Sequence, residues 1–509
     1  MLLCGALAGC SFLIDSKAEQ CSSDRDCTQF GGHPFCREGV CVESGLGPDG
    51  CVFNDPNLTT DDPKTQSDFL NACTTSKFVA YDNCTKLGLC PGNNNVLPMP
   101  AGALTGTSGA TVIPQDPMNL CSEGAPTMGS TPSMVWLYGS SDFGPELRAV
   151  QKALSASTTP YRAVFQNATS CQGVNAIFNT GTKMKDPMPG AGGWAYYFDA
   201  GGIQVNCRIE APTATPVGVP IDIGISNLYS QTCNPLFVQG TTVRDYLGPI
   251  VPFVLAVKGQ SSQQSISTEA ARLVFGNGGK APPGMMDAAP WVDYKNFYIR
   301  NQNAGSTVLT ALLIDVPRNA FWGIDRVSTD NLRDGLLAAM DTPTSAAIGI
   351  LSIDFYDKNR GNLKALYLQS KGQKAGFLPD SGPTTIDKNN VRDGHYPLWG
   401  YVHMLTQLDG NGSPMSSAAK AFILNLSVQT IDQHLLDDLI AASLTPQCAM
   451  KVERSSEIGD FAVRTGVQCG CYFDSKTSKT DCQTCGSAED CPGKHPCRYG
   501  YCELNEPAL

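Results

Sequence analysis

The stretch YIRNQNAGSTVLTAL, residues 298–312, decides how the rest of the chain is read. An arginine is followed by a polar loop that contains glycine, and the loop runs straight into an apolar-rich helical pattern. The first turn of such a helix carries N–H groups with no internal partner and the positive end of the peptide dipoles. Small residues at Ala304, Gly305 and Ser306 let an anion approach those groups, and Ser306 and Thr307 add hydroxyls. Arg300 stands where its guanidinium could fork two hydrogen bonds onto a tetrahedral oxyanion. The same residues also serve as an ordinary helix start, so the stretch needs companions.

Composition limits what the companions can be. The chain has 509 residues, of which 42% are hydrophobic and only 16% charged, which gives a globular protein of more than one domain. The formal net charge is −11 with no long basic tract, which excludes nucleic acid as the expected partner. An anion site here must be a local positive focus in an acidic molecule. No window approaches the roughly eighteen apolar residues that cross a bilayer.

Twenty-two cysteines are far too many for a reducing cytosol. Cys4 and Cys10 lie in the apolar start MLLCGALAGC, residues 1–10. The other twenty cluster: eight from Cys21 to Cys90, four from Cys121 to Cys233, and eight from Cys448 to Cys502. This distribution predicts a disulfide framework and no metal site, because Cys482 and Cys485 form a C-x-x-C with no second one to complete four thiolates. Residues 21–41, CSSDRDCTQFGGHPFCREGVC, and 485–502, CGSAEDCPGKHPCRYGYC, repeat one pattern: C-x5-C, a His-Pro loop, then C-x4-C. Such segments hold too little apolar material for a core and depend on cross-links.

The start resembles a bacterial lipoprotein signal, with Leu7-Ala8-Gly9-Cys10 as the lipobox and Cys10 as the lipidated residue. It departs from the usual signal in lacking Lys or Arg before a short apolar run. The expected organisation is a signal over 1–10, a cysteine-rich module over 11–50, a cysteine-stapled linker over 51–133, a two-lobed domain over 134–451, and a second cysteine-rich module over 452–509. Lobe 1 is expected at about 134–245 plus 396–451, and lobe 2 at about 246–395. Cys121 is expected to staple the linker to the domain.

From residue 134 strands and helices alternate, which predicts an α/β domain. Strands are expected at MVWLYG (134–139), 161–165, 220–226 and 246–258, the last crossing between lobes. Helices are expected after residue 143, near 167–177, at 267–275, at 396–405 and over 418–443. The stretch 346–356 reads as a strand turning into a short helix.

These segments resemble the phosphate-binding branch of the type II periplasmic solute-binding proteins. The resemblance rests on WLYGSSDFGPEL (136–147), FQNATSCQGVNAI (165–177), IDIGIS (221–226), YLGPIVPFVLAVK (246–258) and YIRNQNAGSTVLTALL (298–313). It implies a two-lobed fold whose ligand lies in the cleft, held by helix-start loops. The implied binding residues are Ser140, Ser141, Asp142 and Phe143; Thr169 and Ser170; Ser226 and Asn227; and Arg300, Ala304, Gly305 and Ser306. It further implies a small oxyanion such as phosphate, an ABC-type permease as partner, an extracytoplasmic location, and no cofactor. Two positions depart from the family. Asn227 stands where an aspartate normally accepts from a protonated phosphate oxygen, and Ala304 removes one hydroxyl donor. The first puts selectivity for phosphate over sulfate in question.

Catalytic signatures are missing. There is no G-x-S-x-G or H-E-x-x-H, and FGNGGK (275–280) has neither the spacing nor the hydroxyl of a phosphate loop. The chain reads as a binding protein, with a surface interaction protein on the same scaffold as the alternative.

Overall fold

The computed structural model describes residues 35–37, 40–42, 63, 65–72, 74–93, 95–102, 104–107, 116–128, 130–157, 160–189, 193–213, 215–339, 341–342, 345–427, 432–466, 468–478, 480 and 482–504. Cys10 and the rest of the lipobox lie outside them. The chain divides into two compact units: Met1–Asp62 with Asn71–Ser76, and Pro63–Leu70 with Lys77–Leu509. In the first unit, strands Phe35–Arg37 and Val40–Val42 pair antiparallel with Cys36 opposite Cys41.

The second unit is built from two lobes of matching topology. Lobe 1 runs β1 (Met134–Ser140), α1 (Gly144–Ala156), β2 (Arg162–Ala168), α2 (Ser170–Phe178) and β3 (Ile223–Ser226). β1 lies between β2 and β3 and is parallel to both. The chain then crosses on β4 (Val243–Lys258) and repeats the plan: β5 (Phe297–Ile299), α3 (Gly305–Leu313), β6 (Gly323–Asp325), α4 (Thr329–Ala338) and β7 (Ile348–Ser352). β5 lies between β6 and β7, again parallel to both. The chain returns on β8 (Trp399–Gln407), antiparallel to β3 and to β4, and ends the lobe with α5 (Ser417–Ser427) and α6 (Gln433–Ala441) packed on α1. The two-lobed α/β fold expected of a type II periplasmic binding protein is the one the chain adopts.

The strand sequences show why these segments pair as they do. In β1, Val135 and Leu137 are fully buried while Met134, Trp136 and Tyr138 are half-buried on the other face. β3 and β7 are buried at every residue, as expected of strands covered on both faces by helices. β4 joins the lobes because it is long: its first half, to Pro252, pairs with β8, and Phe253 to Ala256 pair with β7.

Two expectations are corrected. Residues 396–405 hold no helix: 399–405 belong to strand β8, and 396–398 lead into it. The run WGYVHMLTQ is buried at all but its last residue, so its apolar period carries no face information, and the β-branched and aromatic side chains fit a central strand. Residues 418–443 form two helices rather than one, with Asp432 capping the second through the N–H groups of His434 and Leu435.

Seven disulfides join described residues: Cys84–Cys90, Cys121–Cys207, Cys171–Cys233, Cys448–Cys469, Cys471–Cys482, Cys485–Cys497 and Cys491–Cys502. Cys121 does staple the segment before β1 to lobe 1. That segment also adds a strand, Leu104–Thr107, parallel to β6 at the edge of lobe 2. The C-terminal hairpin places Cys497 opposite Cys502, the register that Cys36 and Cys41 have in the first unit. The sulfurs of Cys485, Cys491 and Cys502 lie close together, but each is engaged in a disulfide, and only a thiolate is a metal ligand. Among the described residues no helix is long and apolar enough to cross a membrane.

Candidate functional site

In open α/β sheets, ligand sites form where the carboxyl ends of parallel strands open into loops. Here both lobes point those ends at one another, so six loops meet. From lobe 1 come the ends of β1 (Ser140, Ser141, Asp142), β2 (Thr169, Ser170) and β3 (Ser226, Asn227). From lobe 2 come the ends of β5 (Arg300 to Ala304), β6 (Ser328, Thr329) and β7 (Ser352, Asp354).

Four of the residues expected at the site form one contact group. Ser140 Oγ donates to Asn227 Oδ1 at 2.5 Å, and the Asn227 N–H donates to Ser170 Oγ at 3.2 Å. Gly305 closes against both from the other lobe: a β-carbon built on it would lie 2.8 Å from Asn227 Cβ and from Ser170 Oγ. Ser140 reaches Asn227 because Gly139, at φ +147°, brings β1 against the Ile225 carbonyl, 1.9 Å from where its own β-carbon would stand.

A second group surrounds Arg300, which is 7% exposed. Its Nη1 donates to Ser141 Oγ at 3.2 Å, across the lobes, and to Thr329 Oγ1 at 3.1 Å. Thr329 in turn donates to Asp142 Oδ1 at 3.3 Å. Arg300 Nε is shut off from solvent with no hydrogen-bond partner among the described residues. Burial raises the Asp142 carboxyl to about 6, with Arg300 opposing the shift and Asp354 adding to it. Burial likewise raises Asp354, against the pull of Lys358, and raises Glu146 well above the usual range.

The start of α3 completes the arrangement. Ala304 occupies the N-cap position and offers no side-chain acceptor, whereas α2 carries a full capping box from Thr169 and Gln172, and α4 is capped by Ser328. The N–H of Val308 is bonded to the Ala304 carbonyl, but nothing among the described residues accepts from those of Gly305, Ser306 and Thr307, all buried. A buried helix start without acceptors is a strong demand for one.

The other expected residues have different places. The Phe143 ring turns into the lobe 1 core against Phe165 and Phe422. Thr169 is committed to Gln172, and Ser226 Oγ bonds the Leu228 carbonyl and N–H, so both shape loops. Thr329 and Asp354 were not anticipated from the sequence. The available signal was the repeated plan itself: Ser328-Thr329 ends the second strand of lobe 2, as Thr169-Ser170 ends that of lobe 1.

In sequence, no family model and no curated protein matches the chain. Similar solved structures include an ABC-type phosphate transport receptor from Vibrio cholerae, 12% identical, with a TM-score of 0.38 over 62% of this chain and 100% of that one. PstS from Borrelia burgdorferi is 14% identical, with a TM-score of 0.34 over 62% and 98%. An OxyR of Corynebacterium glutamicum is 9% identical, with a TM-score of 0.32 over 63% and 68%. The strand order of the two lobes, not these likenesses, defines the fold.

Proposed function

We propose that the protein is an extracytoplasmic solute-binding protein that captures a small oxyanion, phosphate-like in shape, between its lobes. One observation carries the reading. The uncapped, buried start of α3 and the Nε of the buried Arg300 are positive groups without acceptors among the described residues, and one loop carries both. An anion supplies acceptors to both. The seven disulfides among described residues favour an oxidising compartment. A lipid on Cys10 would hold the protein at a membrane, where an ABC-type permease or a sensor would be its partner. The reading is of a receptor rather than an enzyme.

The test is calorimetry of the purified chain with sulfate and with phosphate. Arg300→Ala is expected to weaken either anion by roughly 2–4 kcal/mol, a hundredfold or more. A second reading has one observation in its favour: Ser140, Asn227 and Ser170 already satisfy one another. If neither anion binds, the scaffold serves as a surface interaction protein and the cleft is structural.

A further inference from the structure

Lys388 stands in the left-handed backbone region, at φ +48°, where a lysine is strained, yet its side chain is only 1% exposed. Its Nζ donates to Asp357 Oδ2 and to Asp380 Oδ1, each at 2.9 Å. Asp357 ends the short helix Ile353–Asp357 that follows β7, and Asp380 lies eight residues before Lys388. Arg360 joins the same two carboxylates at their other oxygens: Nε and Nη2 donate to Asp357 Oδ1 at 2.9 and 2.6 Å, and Nη2 donates to Asp380 Oδ2 at 2.5 Å. Two cations and two anions are packed together, with Lys388 and Asp380 almost wholly out of water. Desolvating so many charges is costly, and neutral groups in place of a buried ion pair are often as stable or more so. We propose that Lys388 Nζ and the Asp357 carboxyl form an intramolecular amide, a covalent cross-link that the folded chain makes by itself. This cross-link is independent of what the cleft between the lobes binds.

Amide formation needs a nucleophile, an electrophile, a support for the oxyanion and a proton carrier, and each has a residue here. Lys388 Nζ is the nucleophile, held against the oxygen that leaves, Asp357 Oδ2. Negative charge gathers on Asp357 Oδ1 when nitrogen adds to Cγ, and that oxygen already takes two N–H bonds from Arg360. The Tyr356 ring lies under the Arg360 guanidinium, 4.9 Å from its centroid. Asp380 is the proton carrier. Its Oδ1 touches the same nitrogen, while the Lys388 backbone N–H, at 2.8 Å, and Arg360 hold the carboxylate in place. It takes two protons in turn from Nζ and hands each to Asp357 Oδ2. The Nζ–Cγ bond forms, the Cγ–Oδ2 bond breaks, one water leaves, and nothing is oxidised or reduced. The amide nitrogen keeps one hydrogen. Arg360 stays paired with Asp380, so four charges become two.

The experiment is peptide mass spectrometry of the purified full chain, reduced and alkylated after a thermal melt on the same batch has shown it folded. Trypsin is expected to leave Lys388 uncut and to release residues 334–358, which hold Asp357, joined to residues 375–392. The joined pair should weigh the sum of its two peptides less one water, about 18 Da. Lys388→Arg keeps the charge without an amine that can be acylated in this way, and should give the two peptides separately. Asp380→Asn keeps the size of the proton carrier and removes its basicity, and should stay largely unlinked. A folded wild type that yields 334–358 free and is cut normally at Lys388 overturns the proposal, whatever the variants do, and leaves the four groups as a salt-bridge cluster. A link from Lys388 to Asp380 instead, or an Asp380→Asn variant linked as fully as wild type, overturns the assignment of electrophile and carrier.

Discussion

Gly305 and Asn227 meet across the lobes with no room for a side chain on the glycine: its β-carbon would come within 2.8 Å of Asn227 Cβ. The contact joins the start of α3 in lobe 2 to the end of β3 in lobe 1, so it sets how far the lobes close. Gly305→Ala should hold them apart. Forcing a methyl into such a contact costs about 1–3 kcal/mol, and the same loss is expected in anion affinity, roughly tenfold or more. Small-angle scattering should report a larger radius of gyration, while the melting temperature changes little. An unchanged radius with unchanged affinity would show that the contact does not control closure.

Asp142 makes anion binding depend on pH. Its carboxyl is raised to about 6 by burial, so it is charged at pH 7.5 and repels an anion held on Arg300. At pH 5 it is neutral and can donate. Sulfate keeps its charge throughout this range, so its affinity should rise by a factor of at least about five between pH 7.5 and 5. Asp142→Asn should bind sulfate at pH 7.5 as wild type does at pH 5, with a flat profile. The same shift stabilises the folded chain at low pH: the contribution is fully present below the ordinary carboxyl pKa of 3.8 and is lost as pH rises through about 6. A wild-type affinity for sulfate that does not vary with pH refutes the role.

Asn227 governs the choice between anions. Its Oδ1 already accepts from Ser140, and its amide N–H groups are suited to a fully ionised ligand. Asn227→Asp keeps the Ser140 bond and replaces those donors by an acceptor. Sulfate should then lose tenfold or more, about 1.4 kcal/mol, whereas monoprotonated phosphate, which can donate, should lose little. Competitive titrations at pH 6 and 8 measure the ratio, and equal losses for both anions would contradict the assignment.

The Cys121–Cys207 bridge spans 86 residues and holds the segment before β1 to lobe 1. Chain-entropy reasoning gives about 4–5 kcal/mol for a loop of this length, with measured values more often near 2–4. Replacing both cysteines with alanine should lower the denaturation midpoint accordingly. Sulfate affinity should be unchanged, since the bridge touches none of the loops around Arg300. A loss of binding without loss of stability would reverse that expectation.

Much of this protein is written locally. The Arg300 to Ser306 loop, the β1 exit at Ser140 and the small residues of α3 are legible in sequence because each is a strand end followed at once by a helix start. Helix capping is equally local, yet the resemblance put Thr169 at the ligand, and the structure commits it to a cap with Gln172. The oxidised cysteines follow from their number and clustering, although the partner of each does not.

Tertiary structure decided the rest. Residues 399–407 form a strand because both faces are covered by other elements, and a run buried on both faces, His403 and Thr406 included, has no in–out period to declare it. Thr329 reaches Arg300, and the charge of Asp354 reaches Asp142, only because the tertiary fold brings separate strand ends together. The raised pKa of Asp142 comes from burial, which the charge of Arg300, 158 positions away in the chain, opposes and that of Asp354, 212 positions away, reinforces. Sequence fixes which groups can bond; the distance and dielectric that set their charge exist only once the lobes have closed around them.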